Sequence, residues 1–236
     1  MKQKKQTILL IGDTHIPYHK KDLFDFYELV KKTYKPTEVI HMGDLIDNHA
    51  ISYHESSAEL RSAGDELNKS IIYIEWLAEI FPKMDILQGN HDKLPIRKAR
   101  TAGLPSRYIK NNHDVFNMPK TWNWVNEKYL DMSDGRKLWL RHQFCTNPIY
   151  MALKHNVCVA QGHYHTKSEL DWVMNKKRNV WALTVGCGID DESLAYEYNK
   201  LDKDRPQLSV VVITNGLPKF VFMEVDENKN WTGELK

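Results

Sequence analysis

Five short segments of the sequence gather residue types that hold metal ions. They are Gly12-Asp13-Thr14-His15, Gly43-Asp44-Leu45-Ile46-Asp47, Gly89-Asn90-His91-Asp92, Arg141-His142-Gln143 and Gly162-His163-Tyr164-His165. Together they offer Asp13, His15, Asp44, Asn90, His142, His163 and His165, a set of imidazoles, carboxylates and one amide without a thiolate. Such a mixed nitrogen and oxygen set suits Mn first, with Fe, Zn, Ni or Co as alternatives. It is too nitrogen-rich for Mg alone and unlike the oxygen shell of Ca. Seven donors exceed the needs of one open catalytic ion and match two ions sharing a carboxylate. Two ions about 3.5–4 Å apart can clamp a phosphate, generate hydroxide near neutral pH and stabilise an in-line displacement. A single Gly-Asp pair is more often a turn or a helix cap, and a lone His more often structural. The five segments occurring jointly, in this order, outweigh those bland readings.

The elements that must position these residues can be read from periodicity. Thr7 to Ile11, Glu38 to Met42 and Met84 to Leu87 are short apolar runs closed by Gly12, Gly43 and Gly89, and read as buried strands. Between them, Lys20 to Tyr34 and Ala58 to Phe81 carry apolar residues at helical spacing, the second ending at Pro82. Alternating strands and helices imply right-handed crossovers and a parallel sheet, with loops converging at the carboxyl ends of its strands. The second half reads differently. Lys137 to Arg141, Val157 to Ala160, Val180 to Val185, Leu208 to Thr214 and Phe220 to Glu224 are expected strands, and only Pro148 to His155 looks helical. A mixed sheet or two packed sheets follows, and Lys93 to Pro119 is left as a surface excursion over the site.

The bulk composition adds bounds. A length of 236 residues fits one domain over 1–236, and 42% hydrophobic residues suffice for a sizeable core. The formal charge of +2, from 33 basic and 31 acidic residues, neither demands nor excludes a nucleic-acid partner, which needs clustered charge. Met1 to Lys5 is a small basic tip. Cys145, Cys158 and Cys187 lack a CxxC spacing and read as small buried hydrophobes rather than a disulfide framework. No run reaches membrane-spanning length, so no membrane association and a cytoplasmic location are expected.

The series Gly-Asp-x-His, Gly-Asp-x-x-Asp, Gly-Asn-His-Asp, a later His and Gly-His-x-His resembles the calcineurin-like metallophosphoesterase superfamily. Gly186-Cys187-Gly188-Ile189-Asp190, with Tyr196 after it, resembles its small stand-alone members often carried by phages. The resemblance implies an α/β four-layer αββα sandwich of two mixed sheets flanked by helices, and, for a phage protein, the host cytoplasm. It implies one metal on Asp13, His15 and His165, a second on Asn90, His142 and His163, and Asp44 bridging both. It also implies His91 as general acid or donor to the leaving oxygen, Asp47 as the partner fixing its ring, and attack by a hydroxide held between the metals. The sequence departs from the protein phosphatases of the superfamily, with Asn48-His49 where they carry Arg-Gly, and has Gln143 where a Gly often follows the later His.

Around these motifs, His19, His49 and His54, with Tyr18 and Tyr53, follow the first two closely, and Arg97, Lys98 and Arg100 follow the third. His49 and Arg97 are the residues expected to meet substrate. Lys176-Lys177-Arg178 reads as a charged hairpin tip, Trp122 and Trp124 as packing residues and His41 as structural. The leading expectation is a metal-dependent phosphatase or phosphodiesterase acting on small phosphoesters such as nucleotides. A DNA or RNA nuclease is the second, and an interaction module without catalysis the third, which predicts eroded ligands.

Overall fold

A computed structural model of the chain describes residues 6–53, 60, 62–193 and 205–235. Strand β1, Thr7–Ile11, is buried at all five positions because it has a core on each face. Leu9 and Ile11 point into one apolar cluster and Ile8 and Leu10 into another. This is the period-two alternation of a strand applied to a doubly covered sheet, and it explains a run with no polar side. Strands β2 (Glu38–His41), β3 (Met84–Leu87) and β4 (Trp122–Val125) follow β1 in parallel. On the other side of β1, strands β10 (Ser209–Thr214), β11 (Leu217–Val225) and β12 (Trp231–Leu235) are antiparallel. The seven-stranded order is β12-β11-β10-β1-β2-β3-β4.

The second sheet has five strands in the order β5-β6-β7-β9-β8: β5 (Glu127–Asp131), β6 (Lys137–Arg141), β7 (Cys158–Gln161), β8 (Glu169–Met174) and β9 (Asn179–Thr184). It is mixed, with β6, β7 and β9 parallel and the edges β5 and β8 antiparallel. Ile8, Leu10, Ile40, Leu87, Val211 and Ile213 of the first sheet share one cluster with Leu138, Leu140, Val159 and Leu183 of the second, so the sheets face each other. On the far face of the first sheet, helices α1 (Leu23–Tyr34) and α2 (Ala63–Ile80) contribute Phe26, Tyr27, Ile74 and Leu77 to the other cluster. A short helix α5 (Ile149–His155) lies against β7, β8 and β9. The layers therefore run helix, sheet, sheet, helix, which is the αββα sandwich.

The strand runs expected from the sequence stand within one to three residues of these bounds. Strands β5, β8 and β12 were not legible, and the segment expected as an excursion folds into α3 (Leu94–Thr101), a 3-10 turn at Ser106–Tyr108 and α4 (Asn112–Phe116). Trp122 is a core residue of β4, its indole N–H donating to the Phe81 carbonyl at 2.7 Å. Lys176 to Arg178 form the turn joining β8 to β9. The three cysteines are unpaired; Cys158 and Cys187 are buried and Cys145 is half-buried. Among the described residues no helix is long and apolar enough to cross a membrane. Met1 to Lys5, His54 and Tyr196 lie outside the described residues.

Candidate metal centre

Asp13 follows β1, Asp44 and Asp47 follow β2, Asn90 and His91 follow β3, His142 follows β6, and His163 and His165 follow β7. All five loops leave the strands at their carboxyl ends, where parallel strands deliver them to one side of the sandwich. The close approach at this junction needs glycine. A Cβ at Gly89 would lie 2.0 Å from Asp44 Oδ1, and one at Gly12 would lie 1.7 Å from the Gly186 carbonyl oxygen. The backbone is also strained where the donors sit. His15, Asp44 and His163 have φ of 51°, 48° and 69°, a left-handed conformation that costs about 1–3 kcal/mol for a residue with a side chain. Such strain persists only where the surroundings hold it in place.

Two donor groups result. In the first, His15 Nε2 lies 3.2 Å from His165 Nε2, His165 Nε2 lies 3.0 Å from Asp13 Oδ2, and Asp44 Oδ2 lies 3.9 Å from His15 Nε2. In the second, His142 Nε2 lies 3.0 Å from Asn90 Oδ1 and 3.2 Å from Asp44 Oδ2, with His163 completing an Asp44–His142–His163 cluster. Donors each about 2.1 Å from one ion stand about 3.0–3.4 Å apart in octahedral or tetrahedral shells, so these separations suit divalent ions. Asp44 belongs to both groups. Asp13, His15 and Asp44 are fully buried, whereas Asn90, His163 and His165 are partly exposed, so the site opens on one side.

The hydrogen bonds behind the donors decide which ring nitrogen is presented. His142 Nδ1 is 2.9 Å from the Met42 carbonyl oxygen, which only accepts, so Nδ1 carries a proton and Nε2 faces the cluster. His15 Nδ1 donates to Asp47 Oδ1 at 2.6 Å, again turning Nε2 inward. Inward ring nitrogens and carboxylates this close call for positive charge between them, a ring proton or a metal ion. The electrostatics agree. Burial alone would raise Asp44, yet the neighbouring His142 holds it well below the usual carboxylate range. His142 is pulled down by burial but pushed up to about 10 by Asp44 and Asp13, because two buried carboxylates need compensating positive charge. Divalent ions would supply that charge and displace the His142 proton. The residues fit divalent metal on donor chemistry and orientation alike.

His91 stands beside this cluster. Its ring centroid is 4.7 Å from that of His15, and its backbone N–H donates to Asp44 Oδ1 at 2.8 Å. Its Nδ1 is 2.7 Å from the Asp47 carbonyl oxygen and 3.2 Å from Asp47 Oδ1. Burial lowers its pKa, but the Asp47 hydrogen bond and the Asp44 charge outweigh it and lift His91 to about 9. Without metal, these neighbours favour the charged ring, and the Asp47 carbonyl, which only accepts, keeps a proton on Nδ1. Asp47 sits between His15 and His91; burial raises it, and the hydrogen bonds from His15 and then His91 bring it below the ordinary range.

His49 is buried at 3% exposure, with Nδ1 3.7 Å from Asp47 Oδ2, so it stands behind Asp47 rather than on an open face. Arg97 is exposed on α3, its guanidinium 5.3 Å from the Tyr53 ring. His19 is stacked on Phe24 inside the protein, and His41 is buried, bonded to Thr14 Oγ1 at 2.7 Å and accepting from the Gly43 N–H at 3.2 Å.

Two acidic residues had no expected role. Asp92 is buried and accepts from the N–H groups of Asp44 and Gly89 at 2.9 Å each and of Ile46 at 3.1 Å, tying the second loop to the third. Burial and the Asp44 charge push it up to about 7 against those donors. Its place within the Gly-Asn-His-Asp motif was the available signal. Glu66 of α2 accepts from the N–H groups of His49 and Ala50 at 2.8 Å each, and nothing in the sequence distinguishes it from an acidic first-turn residue. Asp92→Ala leaves three buried N–H groups without their acceptor, and a loss of about 3 kcal/mol in urea unfolding is expected. Wild-type stability in that variant would contradict the role.

A helix–sheet–sheet–helix sandwich with His, Asp and Asn donors on its strand ends defines a protein of the metallophosphoesterase class. The family described as Calcineurin-like phosphoesterase matches residues 6–211, and the chain belongs to it. No curated protein sequence matches significantly. Among solved structures, Vacuolar Protein Sorting 29 from Cryptosporidium parvum is similar with a TM-score of 0.54 at 16% identity, covering 98% of this chain and 95% of that one. Vps29 of Chaetomium thermophilum is similar with a TM-score of 0.50 at 12% identity, covering 98% and 96%. A metallophosphoesterase from Sphaerobacter thermophilus gives 0.47 at 14% identity, covering 92% and 87%. At these identities the two Vps29 likenesses speak for the fold alone.

Proposed function

We propose that the protein is a dinuclear metal-dependent phosphoester hydrolase. The observation that carries this reading is the convergence of seven donors into two adjacent groups that share the Asp44 carboxylate. Asp13, His15 and His165 would hold one ion, Asn90, His142 and His163 the other, and Asp44 both. The ions, most simply Mn²⁺, would supply Lewis acidity toward the phosphate and an activated water. His91 presents its protonated Nε2 to the oxygen that leaves phosphorus, and Asp47 fixes both the His91 and His15 rings. His49 stands next to Asp47, its Nδ1 3.7 Å from Oδ2.

A nucleotide-sized phosphomonoester or phosphodiester is the substrate class that follows from the sequence. A nuclease reading is favoured by one observation, the basic segment after Asp92 that Arg97 belongs to. A scaffold without catalysis would be expected to have lost donors, and here each of the seven positions, with His91, holds a competent residue.

The assay is hydrolysis of p-nitrophenyl phosphate and its bis ester with Mn²⁺, Ni²⁺, Zn²⁺ or Mg²⁺. Turnover that EDTA abolishes and Mn²⁺ restores is expected. Turnover indifferent to EDTA would refute the metal-dependent reading.

A further inference from the structure

Between Asp92 and Asp114 the chain carries six basic residues, Lys93, Arg97, Lys98, Arg100, Arg107 and Lys110, and no acidic one. They are six of 33, so the remainder holds 27 basic against 31 acidic residues. A nearly neutral protein thus concentrates positive charge in one strip, which net charge conceals. The strip is α3 and the turn after it; Arg97, Arg100, Arg107 and Lys110 are exposed and Lys93 and Lys98 half-buried. Among the described residues none of the six forms an ion pair with a carboxylate; Lys21, Lys120 and Lys154 form none either, so it is the clustering of the six that suits an anionic ligand.

Aromatic rings are interleaved with this charge. Lys98 Nζ lies 3.7 Å above the Tyr53 ring and donates to the Ser52 carbonyl at 3.2 Å, and the Arg97 guanidinium is 5.3 Å from the same ring. Tyr53 therefore orders two of the cations in advance of any ligand. Tyr108 is 73% exposed and offers an open face. Beside it lies a cavity of about 340 Å³ with apolar walls from Ile51, Leu67, Pro95 and Phe116, lined also by Tyr108, Lys110 and Glu66, whose carboxylate is engaged by the His49 and Ala50 N–H groups. Asn48, another lining residue, donates to the His91 carbonyl at 3.0 Å, which ties the cavity to the loop carrying the His91 ring.

We propose that this strip docks single-stranded nucleic acid. Its phosphodiesters lie along the cations, one base stacks on Tyr108, and a neighbouring base enters the cavity. Cations alone would take any polyanion; the exposed ring and the base-sized apolar recess select a strand with unstacked bases. As a docking surface it stands on the strip itself; that the bound strand is also the substrate rests on the phosphoesterase reading.

The test is fluorescence anisotropy of a labelled single strand of about 20 nucleotides against the full chain. EDTA keeps the strand intact, and the titration is repeated across a salt series. Wild type should bind with a steep salt dependence. Arg100→Gln/Arg107→Gln/Lys110→Gln should weaken Kd about 100-fold near 0.1 M salt and flatten the log–log slope by about 2, since each phosphate contact on a single strand contributes about 0.7. Tyr108→Ala should weaken Kd about tenfold, from the loss of one stacked base. Thermal melts confirm that both variants are folded. No binding by wild type at about 50 mM salt, or unchanged Kd in both variants, would overturn the proposal. So would a duplex bound as tightly as the strand, or anionic phospholipid vesicles bound in place of it. Hydrolysis of bis-p-nitrophenyl phosphate by wild type is scored separately. Turnover without strand binding sinks the docking surface alone, and strand binding without turnover sinks the phosphoesterase reading alone.

Discussion

Asp44→Ala is expected to abolish metal binding and phosphoester hydrolysis together. Asp44 Oδ2 lies 3.2 Å from His142 Nε2 and 3.9 Å from His15 Nε2, so a single carboxylate serves both donor groups. Its removal takes one ligand from each ion and removes the acceptor for the His91 N–H. Losing several kcal/mol of charge stabilisation at phosphorus corresponds to a fall in kcat/KM of about 10³-fold or more. Stability without metal should fall as well. His142 holds the Asp44 charge in the folded protein, and deleting it leaves the His142 ring and the His91 N–H without their acceptor. The left-handed backbone at residue 44 adds to that loss, because Ala tolerates φ of 48° less well than Asp does. Asp44→Asn separates the two effects, keeping the backbone preference while removing the charge. The measurement is a pair of thermal melts, with EDTA and with Mn²⁺, beside a turnover assay. A Mn²⁺-dependent rise in Tm that survives in Asp44→Ala would contradict the shared-ligand role.

His91→Ala should behave differently, keeping its metals while kcat falls by about 10²–10⁴-fold, the usual cost of losing a general acid. His91 is held through Nδ1 by the Asp47 carbonyl and carboxylate, which leaves Nε2 directed away from them, and Asp47 favours the charged ring. The fall should be larger for an ester with an alkoxide leaving group than for p-nitrophenyl phosphate, because p-nitrophenolate needs little protonation. Equal kcat in variant and wild type would refute the role. A fall that is the same for both esters would assign His91 to phosphate binding instead of proton donation.

Much of this arrangement could be read in the sequence because parallel strands covered on both faces leave a strong trace. Thr7 to Ile11 is continuous and apolar, and the glycine after each of the first three strands marks where a loop must turn beneath the donors. The strands that escaped reading are edge strands or lie near an edge. Glu127–Asp131 and Glu169–Met174 are exposed or half-buried throughout, so no apolar face disciplines their sequence. The helices after Asp92 were hidden by prolines and by a cationic face that reads equally well as loop. Asp92 and Glu66 were hidden for another reason. Each acts by accepting backbone N–H groups from a different loop, and such a partnership has no sequence spacing of its own. His142 shows the reverse. In the sequence it stood mainly on the need to complete the second ion's shell, and in the fold its Nε2 lies between Asn90 and Asp44.

The central claim is that the donors around Asp44 hold two ions and that these enable hydrolysis. The most direct test is a Mn²⁺ titration of metal-stripped protein by calorimetry, with bis-p-nitrophenyl phosphate turnover followed at each added equivalent. The account predicts two ions bound per chain and turnover that rises with their binding. Saturation at fewer than two ions per chain, or full turnover in the stripped protein, would contradict it.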